Sequence, residues 1–352
     1  MMTSFGQLTY PEIREQNEAL TAAWEQLSTQ KEWIDAYLAD HAFKEVLFIG
    51  SGSSYYQALI MAATFRSWLA RRAAACPSSE IMLFPDHAAA PGKKLLVAVS
   101  RSGESSEAIL AVQAVKDLPD WTVCGVTCYP NSSLAALAPC LISPLGAEQS
   151  TVMTKSFSSM TYLMQAAIAA ASGSAEHLAQ LKQTIDVQAP LIEEADRLAQ
   201  RIIQENELFA PYIYLGMGPF FGAAQEACLK IKEMAQVWTE SYGTLEFRHG
   251  PKSIIEPGAL VVLLLSEQAR IYEVKAAQEM QDYGAKVLVI TAAAGEDLDF
   301  ADYVFDTRSS QLDDNARVVT YMPLVQFLGY YSALSKNTNP DEPRNLSQVV
   351  TL

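Results

Sequence analysis

Histidine is scarce in this sequence, with four among 352 residues, and the five cysteines, Cys76, Cys124, Cys128, Cys140 and Cys228, stand at irregular spacings among apolar neighbours. Zinc sites need Cys and His at short fixed intervals, and disulfide frameworks need paired cysteines in small secreted chains. Neither is expected here, the thiols are read as reduced and buried, and no metal or other cofactor is anticipated. Basic residues are also few: 25 Lys and Arg against 40 Asp and Glu leave a net charge of −15. That balance opposes nonspecific binding to nucleic acid or anionic lipid. An anionic substrate would need a locally positive pocket built from helix N-termini and a few cations. Long apolar runs are missing too. The least charged stretch, 156–175, is broken by Ser, Thr and Gln, which makes it a poor membrane span. The opening residues Met1-Met2-Thr3-Ser4-Phe5-Gly6-Gln7 show no basic region followed by an apolar core, so no secretory signal is expected. The expectation is a cytoplasmic protein with no nucleic-acid and no membrane partner.

Half of the residues are apolar, and the length suits about two domains. From Pro11 to Ala39, Ile13, Leu20, Trp24, Leu27 and Trp33 recur at helical spacing, which predicts one or two packing helices. Next, a β-rich run, 45–49, ends in the turn Gly50-Ser51-Gly52-Ser53-Ser54-Tyr55 and leads into an amphipathic segment reaching Ala70. The same strand, loop and helix order returns at Lys94 to Ser100 and at Thr122 to Thr127, with Cys140 to Ser143 as a short edge strand. Strands alternating with helices predict a parallel sheet.

The second half repeats the first. The run Tyr212 to Gly218 sits 166 positions after the Phe48 to Gly52 region, so Gly50 maps on Gly216 and Gly52 on Gly218. The same offset would map Leu95 to Ser100 on Val261 to Ser266, while Lys286 to Thr291 parallels Thr122 to Thr127 at an offset near 164. Two α/β halves joined by a charged helical segment, from about Ala175 to Glu205, are therefore expected. The expected division is a helical segment at 1–42, a first domain at 43–195 and a second at 196–352. Asn337 to Leu352, with two prolines and little periodicity, is a tail that must dock to be ordered.

The run Ser100-Arg101-Ser102-Gly103-Glu104-Ser105-Ser106 crowds hydroxyls and a glycine between a strand and a helix N-terminus, where outward N–H groups and the positive dipole end suit an anion. An ordinary serine cap would look similar. The second hydroxyl pair, Ser53 and Ser54, after the neighbouring strand tips the reading toward phosphate. A third polar run, 149–157, opens another helix and supplies Lys155 as a candidate cation. The second half has lost the pattern: Gly216-Met217-Gly218-Pro219 has no serine pair, and Ser266-Glu267-Gln268 lacks the Ser-x-Ser-Gly-Glu order. Glu226, Lys230 and Glu233 share one helical face there, and spacing alone favours a salt-bridged, solvated stripe. His249, flanked by Arg, Gly and Pro, is the histidine best suited to acid–base work.

From about Val46 to Leu352 the chain resembles the double SIS (sugar isomerase) domain family, in particular the isomerase half of glucosamine-6-phosphate synthase and its deaminase and deglycase relatives. The likeness rests on Ser-Gly-Ser-Ser-Tyr at 51–55, Ser-Arg-Ser-Gly-Glu-Ser at 100–105, Thr-Lys-Ser-Phe at 154–157, Leu-Lys-Ile-Lys-Glu at 229–233, Glu-Phe-Arg-His-Gly-Pro at 246–251 and Pro-Arg-Asn-Leu at 343–346. The resemblance implies two tandem doubly wound parallel-sheet SIS domains with flanking helices. It also implies a hexose 6-phosphate or amino-sugar 6-phosphate held by Ser53, Ser54, Ser100, Ser102 and Ser105. Glu233 matches the family base that moves a proton between C1 and C2, which overrides the stripe reading. His249 matches the residue that opens the sugar ring, entering from the neighbouring subunit of a homodimer with a shared active site. Glu246 is expected to help position the substrate.

Two departures follow from the same resemblance. Gln348 stands where the family synthase has a lysine that engages the open-chain sugar, and an amide cannot form a Schiff base. Arg101 replaces a common Gln and adds a cation near the phosphate or near a second acidic group on the ligand. The sequence also has no glutaminase segment ahead of the isomerase, so breakdown is the expected direction: deamination of a glucosamine 6-phosphate type substrate. The alternatives are a deglycase releasing an amine or amino acid from a fructosamine 6-phosphate, and a sugar-phosphate sensor without turnover.

Overall fold

The computed structural model describes residues 5–88, 91–206 and 208–352, so the first four residues of the N-terminal stretch lie outside it. The described residues group into two compact units, one drawn from 15–149, 153–182 and 347–352, the other from 5–14, 150–152 and 183–346. Each holds one five-stranded, all-parallel sheet.

In the first unit the strands are β1 (Glu45–Gly50), β2 (Ala73–Pro77), β3 (Lys94–Val99), β4 (Trp121–Thr127) and β5 (Cys140–Ile142), in the order β2-β1-β3-β4-β5. Central strands of parallel sheets are covered on both faces and read as continuous apolar runs. Leu95 to Val99 are accordingly fully buried. Leu47, Ile49, Leu96 and Ala98 face Ala111, Val112 and Val115 of the helix Ser106–Val115, while Phe48 meets Phe65 of the helix Ser53–Leu69. The N-terminal segment forms three short helices, Thr9–Arg14, Gln16–Gln26 and Lys31–Tyr37, where one or two were expected.

The second unit repeats this plan. Its strands are β6 (Tyr212–Gly216), β7 (Thr239–Tyr242), β8 (Leu260–Leu264), β9 (Lys286–Thr291) and β10 (Tyr303–Asp306), ordered β7-β6-β8-β9-β10. Gly52 and Gly218 precede matching helices with nearly the same backbone, φ 58°, ψ −129° and φ 57°, ψ −130°, a left-handed region open chiefly to glycine. The offset of 166 thus holds for β1 and β6. It fails by one residue at the next strand: Leu95 pairs with Val46, whereas Leu260, not Val261, pairs with Tyr212. A loop one residue shorter absorbs the slip, and Cys124 opposite Val97 against Leu288 opposite Val262 puts the fourth strands 164 apart, as expected.

The segment expected to be helical near 175–205 is one helix, Ala175–Gln204. No helix among the described residues is long and apolar enough to cross a membrane. All five cysteines are free, with Cys124, Cys128 and Cys228 buried. Burial pushes the Cys76 thiol up to about 11 and the Cys140 thiol to about 12, so both stay protonated at neutral pH.

Candidate active site

In the first unit β1 and β3 are neighbours whose following helices start at the carboxyl ends of the strands, the crevice where open α/β sheets bind ligands. Ser53 and Ser54 begin one helix and are nearly buried. The loop after β3 is braced at each step. The Ser100 hydroxyl accepts the Gly103 N–H at 3.1 Å, and the Ser102 hydroxyl accepts the Glu104 N–H at 3.1 Å. Gly103 has φ 68°, and a Cβ there would lie 2.2 Å from the Ser132 hydroxyl, so only glycine fits. Glu104 accepts the N–H and hydroxyl of Ser133, tying the loop to the helix Ser133–Leu137. Ser105 stands at the N-cap position of the helix Ser106–Val115 with extended backbone, and its hydroxyl donates to Glu107 at 3.3 Å.

A cavity of about 360 Å³ opens on this loop, lined by Arg101, Ser102, Glu104, Tyr129, Asn131, Ser132 and Gln348. The C-terminal tail forms part of its wall. The Gln348 amide donates to the carbonyls of Glu148 and Gln149, the Val350 carbonyl accepts the Ser106 N–H, and the Ser106 hydroxyl accepts the Leu352 N–H. The expected docking of the tail is thereby realised at the N-terminus of the helix Ser106–Val115.

Arg101, Ser102 and Gln348 therefore meet at one cavity. Lys155 stands apart: its ammonium pairs with Glu15 at 2.5 Å beside a separate cavity lined by Glu15, Glu18, Leu145 and neighbours. Most of the third polar run is also turned inward, although Gln149 is exposed. The fully buried Glu148 side chain accepts the N–H and hydroxyl of Thr154 and the N–H and hydroxyl of Ser156, capping the helix Lys155–Ser172 from within. Sequence reasoning did not single out Glu148, whose role depends on what it meets across the fold.

In the second unit the helix Pro219–Lys230 passes into a π turn, Ile231–Ala235, that carries Glu233. Such insertions re-aim side chains and often mark functional sites. Lys230 is fully buried, with its Nζ 3.1 Å from Glu226 Oε1 and 2.6 Å from Glu233 Oε2. The salt-bridged stripe is real but not solvated: Glu226 is also fully buried, and only Glu233 reaches partly outward, at 18% exposure. Burial works against the Lys230 charge, yet Glu226 and Glu233 outweigh it and hold the ammonium above the ordinary lysine range.

Glu246 is exposed on the short helix Thr244–Phe247, whose Phe247 is buried in the core, and His249 is exposed on the loop that follows it. Glu279 anchors that loop through Arg248 and Lys252, and hydrogen bonds from Lys252 and Tyr283 foremost hold its carboxyl down at about 2. The counterpart of the serine loop is internally occupied. Ser266 donates its N–H to Glu273 and its hydroxyl to Asp314, and the Glu267 N–H also reaches Asp314. These groups of the second half are thus taken up by Glu273 and Asp314.

Burial pushes the Glu273 carboxyl up to about 7 despite hydrogen bonds from Thr244 and the Ser266 main chain. A raised carboxyl contributes stability that is fully present below the ordinary carboxylate range and lost as pH rises through the folded value. Urea midpoints should therefore fall as pH rises from about 4.5 to about 7, and Glu273→Gln should flatten that step. An unchanged slope in the variant would assign the step to another group.

The SIS domain family matches residues 42–170 and 212–330, one match in each half, and the chain belongs to it. It is 27% identical over 97% of its length to the glutamine–fructose-6-phosphate aminotransferase (isomerizing) of Shewanella oneidensis and 29% identical over 97% to that of Pyrobaculum aerophilum. It spans 58% and 57% of those proteins, respectively. Among solved structures it resembles glucosamine-6-phosphate deaminase from Thermotoga maritima, with a TM-score of 0.74 and 28% identity over 94% of this chain and all of that one. It also shares the fold of tagatose-6-phosphate ketose/aldose isomerase from Escherichia coli, with a TM-score of 0.86, 21% identity and 97% of each chain covered.

Proposed function

We propose that the protein is an isomerase-type deaminase of an amino-sugar 6-phosphate of the glucosamine 6-phosphate kind. The observation that carries this reading is the buried Glu226, Lys230 and Glu233 array in a chain that also keeps a serine-lined cavity at the end of β3. A carboxylate held by a buried ammonium is poised to take and return a proton. The likeness to the Thermotoga deaminase over nearly the whole chain supports the direction of the reaction.

In this reading Ser53, Ser54, Ser100, Ser102 and Ser105 hold the phosphate, with hydroxyls and helix N-termini supplying hydrogen bonds and positive potential. His249 assists ring opening, and Glu246 helps position the open-chain sugar. Glu233 then removes the C2 proton and returns a proton to C1, while the amine nitrogen loses a proton and O1 gains one, turning the 2-amino aldose into the 1-hydroxy C2 imine. Water adds to that imine, the C–N bond breaks, and ammonia and the ketose 6-phosphate leave. Gln348 cannot form a Schiff base, so this route keeps the sugar noncovalent throughout. The pure protein should release ammonia from glucosamine 6-phosphate within a panel of phosphorylated amino sugars and fructosamines. Release of an amino acid from a fructosamine 6-phosphate alone would establish the deglycase instead.

Phosphate anchoring belongs to the first half in this account. Ser102→Ala should weaken hexose 6-phosphate binding by about 1.5–3 kcal/mol, the range for a hydrogen bond to a charged group. Ser266→Ala should leave that affinity unchanged, because its hydroxyl serves Asp314. Equal losses in calorimetry would mean that both halves bind alike.

His249 acts from the neighbouring subunit of a homodimer in the same reading, which suits its exposed position. Inactive Glu233→Gln and inactive His249→Ala proteins should complement each other after subunit exchange, since one site of each mixed dimer keeps both groups. Random pairing at equal amounts gives recovery approaching roughly one quarter of native sites. Exchange demonstrated by mass spectrometry without recovered activity would place His249 within its own subunit or outside the reaction.

A further inference from the structure

Arg101 was expected to add a cation for the ligand, but its guanidinium is already engaged. Nη1 lies 3.3 Å from Glu148 Oε2 and Nη2 donates to the Gln348 carbonyl at 3.3 Å, with the Arg101 side chain only 7% exposed. Its main chain is equally fixed, because the Arg101 carbonyl accepts the Thr127 hydroxyl and the Cys128 N–H. Glu148 is fully buried behind the cavity that Arg101 lines. An uncompensated buried carboxylate there would repel any anion placed on the serine loop. The second unit shows what a carboxylate does beside such a loop: Asp314, eight residues after β10, occupies the Ser266 hydroxyl and the Glu267 N–H itself. Glu148, six residues after β5, is drawn instead toward Arg101 and the start of the helix Lys155–Ser172.

We propose that Arg101 is a positioning residue that makes the Ser100–Ser105 loop receptive to phosphate by holding and neutralising Glu148, rather than by contacting the ligand. The inference rests on the phosphate reading of that loop. It makes the arginine and the glutamate a single unit, in which losing the cation matters only while the carboxylate remains. The double variant, which removes both buried charges, is then the informative protein.

The test is calorimetric binding of fructose 6-phosphate, glucosamine 6-phosphate and inorganic phosphate to the full chain. Arg101→Met should weaken binding on the order of 10- to 100-fold, as expected when one buried charge near an anion loses its counter-ion. Glu148→Gln alone should tighten it, and Arg101→Met with Glu148→Gln should return to within about threefold of the wild type. A direct contact between Arg101 and the ligand predicts that the double variant binds as poorly as Arg101→Met. Loss of tail docking through the Gln348 carbonyl predicts the same, and either result overturns the proposal. If Arg101→Met does not fold, the double variant against the wild type decides on the same criterion. Wild-type protein that binds none of the three probes refutes the phosphate reading itself, whereas wild-type binding without rescue refutes only the role given to Arg101.

Discussion

Glu233→Gln should reduce turnover by about 10²- to 10⁴-fold, the usual worth of a positioned acid–base group, while changing the dissociation constant of the sugar phosphate by less than about threefold. The amide keeps the shape of the carboxylate and loses only its ability to take a proton. The π turn Ile231–Ala235 and the contact with Lys230 fix where that carboxylate points, and its partial exposure leaves it able to meet a substrate. Progress curves for ammonia release, with affinity measured separately, distinguish the two parameters. Near-native turnover in the variant would move the proton shuttle elsewhere, with Glu246 the first residue to test.

Lys230 should be the most damaging single truncation in the second unit. Lys230→Met removes the cation from between Glu226 and Glu233 and leaves Glu226 fully buried without it. Breaking a buried ion pair from one side typically costs about 3–5 kcal/mol, because the remaining charge keeps its desolvation penalty. Adding Glu226→Gln should return a large part of that loss by removing the stranded charge. Urea denaturation of the single and double variants measures both. A cost below about 1 kcal/mol for Lys230→Met would show that the ammonium is not structural, and failure of the second substitution to help would place the loss elsewhere.

What was legible in the sequence follows from how local each signal is. β1, β3, β4, β6, β8 and β9 are apolar runs ending in recognisable loops, and each lies where alternating strand and helix patterns put it. β10, only four residues long at the edge of its sheet, was not anticipated, and β2 and β7 escaped notice because edge strands need no apolar run: Ala73–Pro77 is small and ends in proline, and Thr239–Tyr242 is polar. The repeat could have revealed them, since Ala73 and Thr239 are themselves 166 apart and pair with equivalent residues of β1 and β6. The one-residue slip between β3 and β8 was hidden because, Lys94 aside, both strands are apolar throughout, and such runs carry no register of their own.

The site was legible where motifs were contiguous and opaque where partners came from afar. Ser102, Arg101 and Gln348 do meet at one cavity, although Arg101 and Gln348 are 247 positions apart. Lys155 read as a ligand cation because it follows a hydroxyl-rich run, but Glu15, 140 positions away, claims it. Glu148 was invisible for the same reason. A single acidic residue carries no pattern until Arg101, Thr154 and Ser156 are gathered around it. The stripe of Glu226, Lys230 and Glu233 was visible by spacing, but spacing cannot tell a buried face from a solvated one when every member is charged.

Proton transfer at the sugar carbons is the claim on which the rest depends, and deuterium exchange reads it without assuming which product is released. Wild-type protein incubated in D₂O with glucosamine 6-phosphate, and separately with fructose 6-phosphate, should place solvent deuterium at C1 or C2, detectable by NMR or mass spectrometry. Glu233→Gln should leave the same sugars unlabelled under the same conditions. If the wild-type protein binds these sugars and no deuterium enters either carbon, the protein is a sugar-phosphate binder rather than an isomerase-type enzyme, and the account given for Glu233 is contradicted.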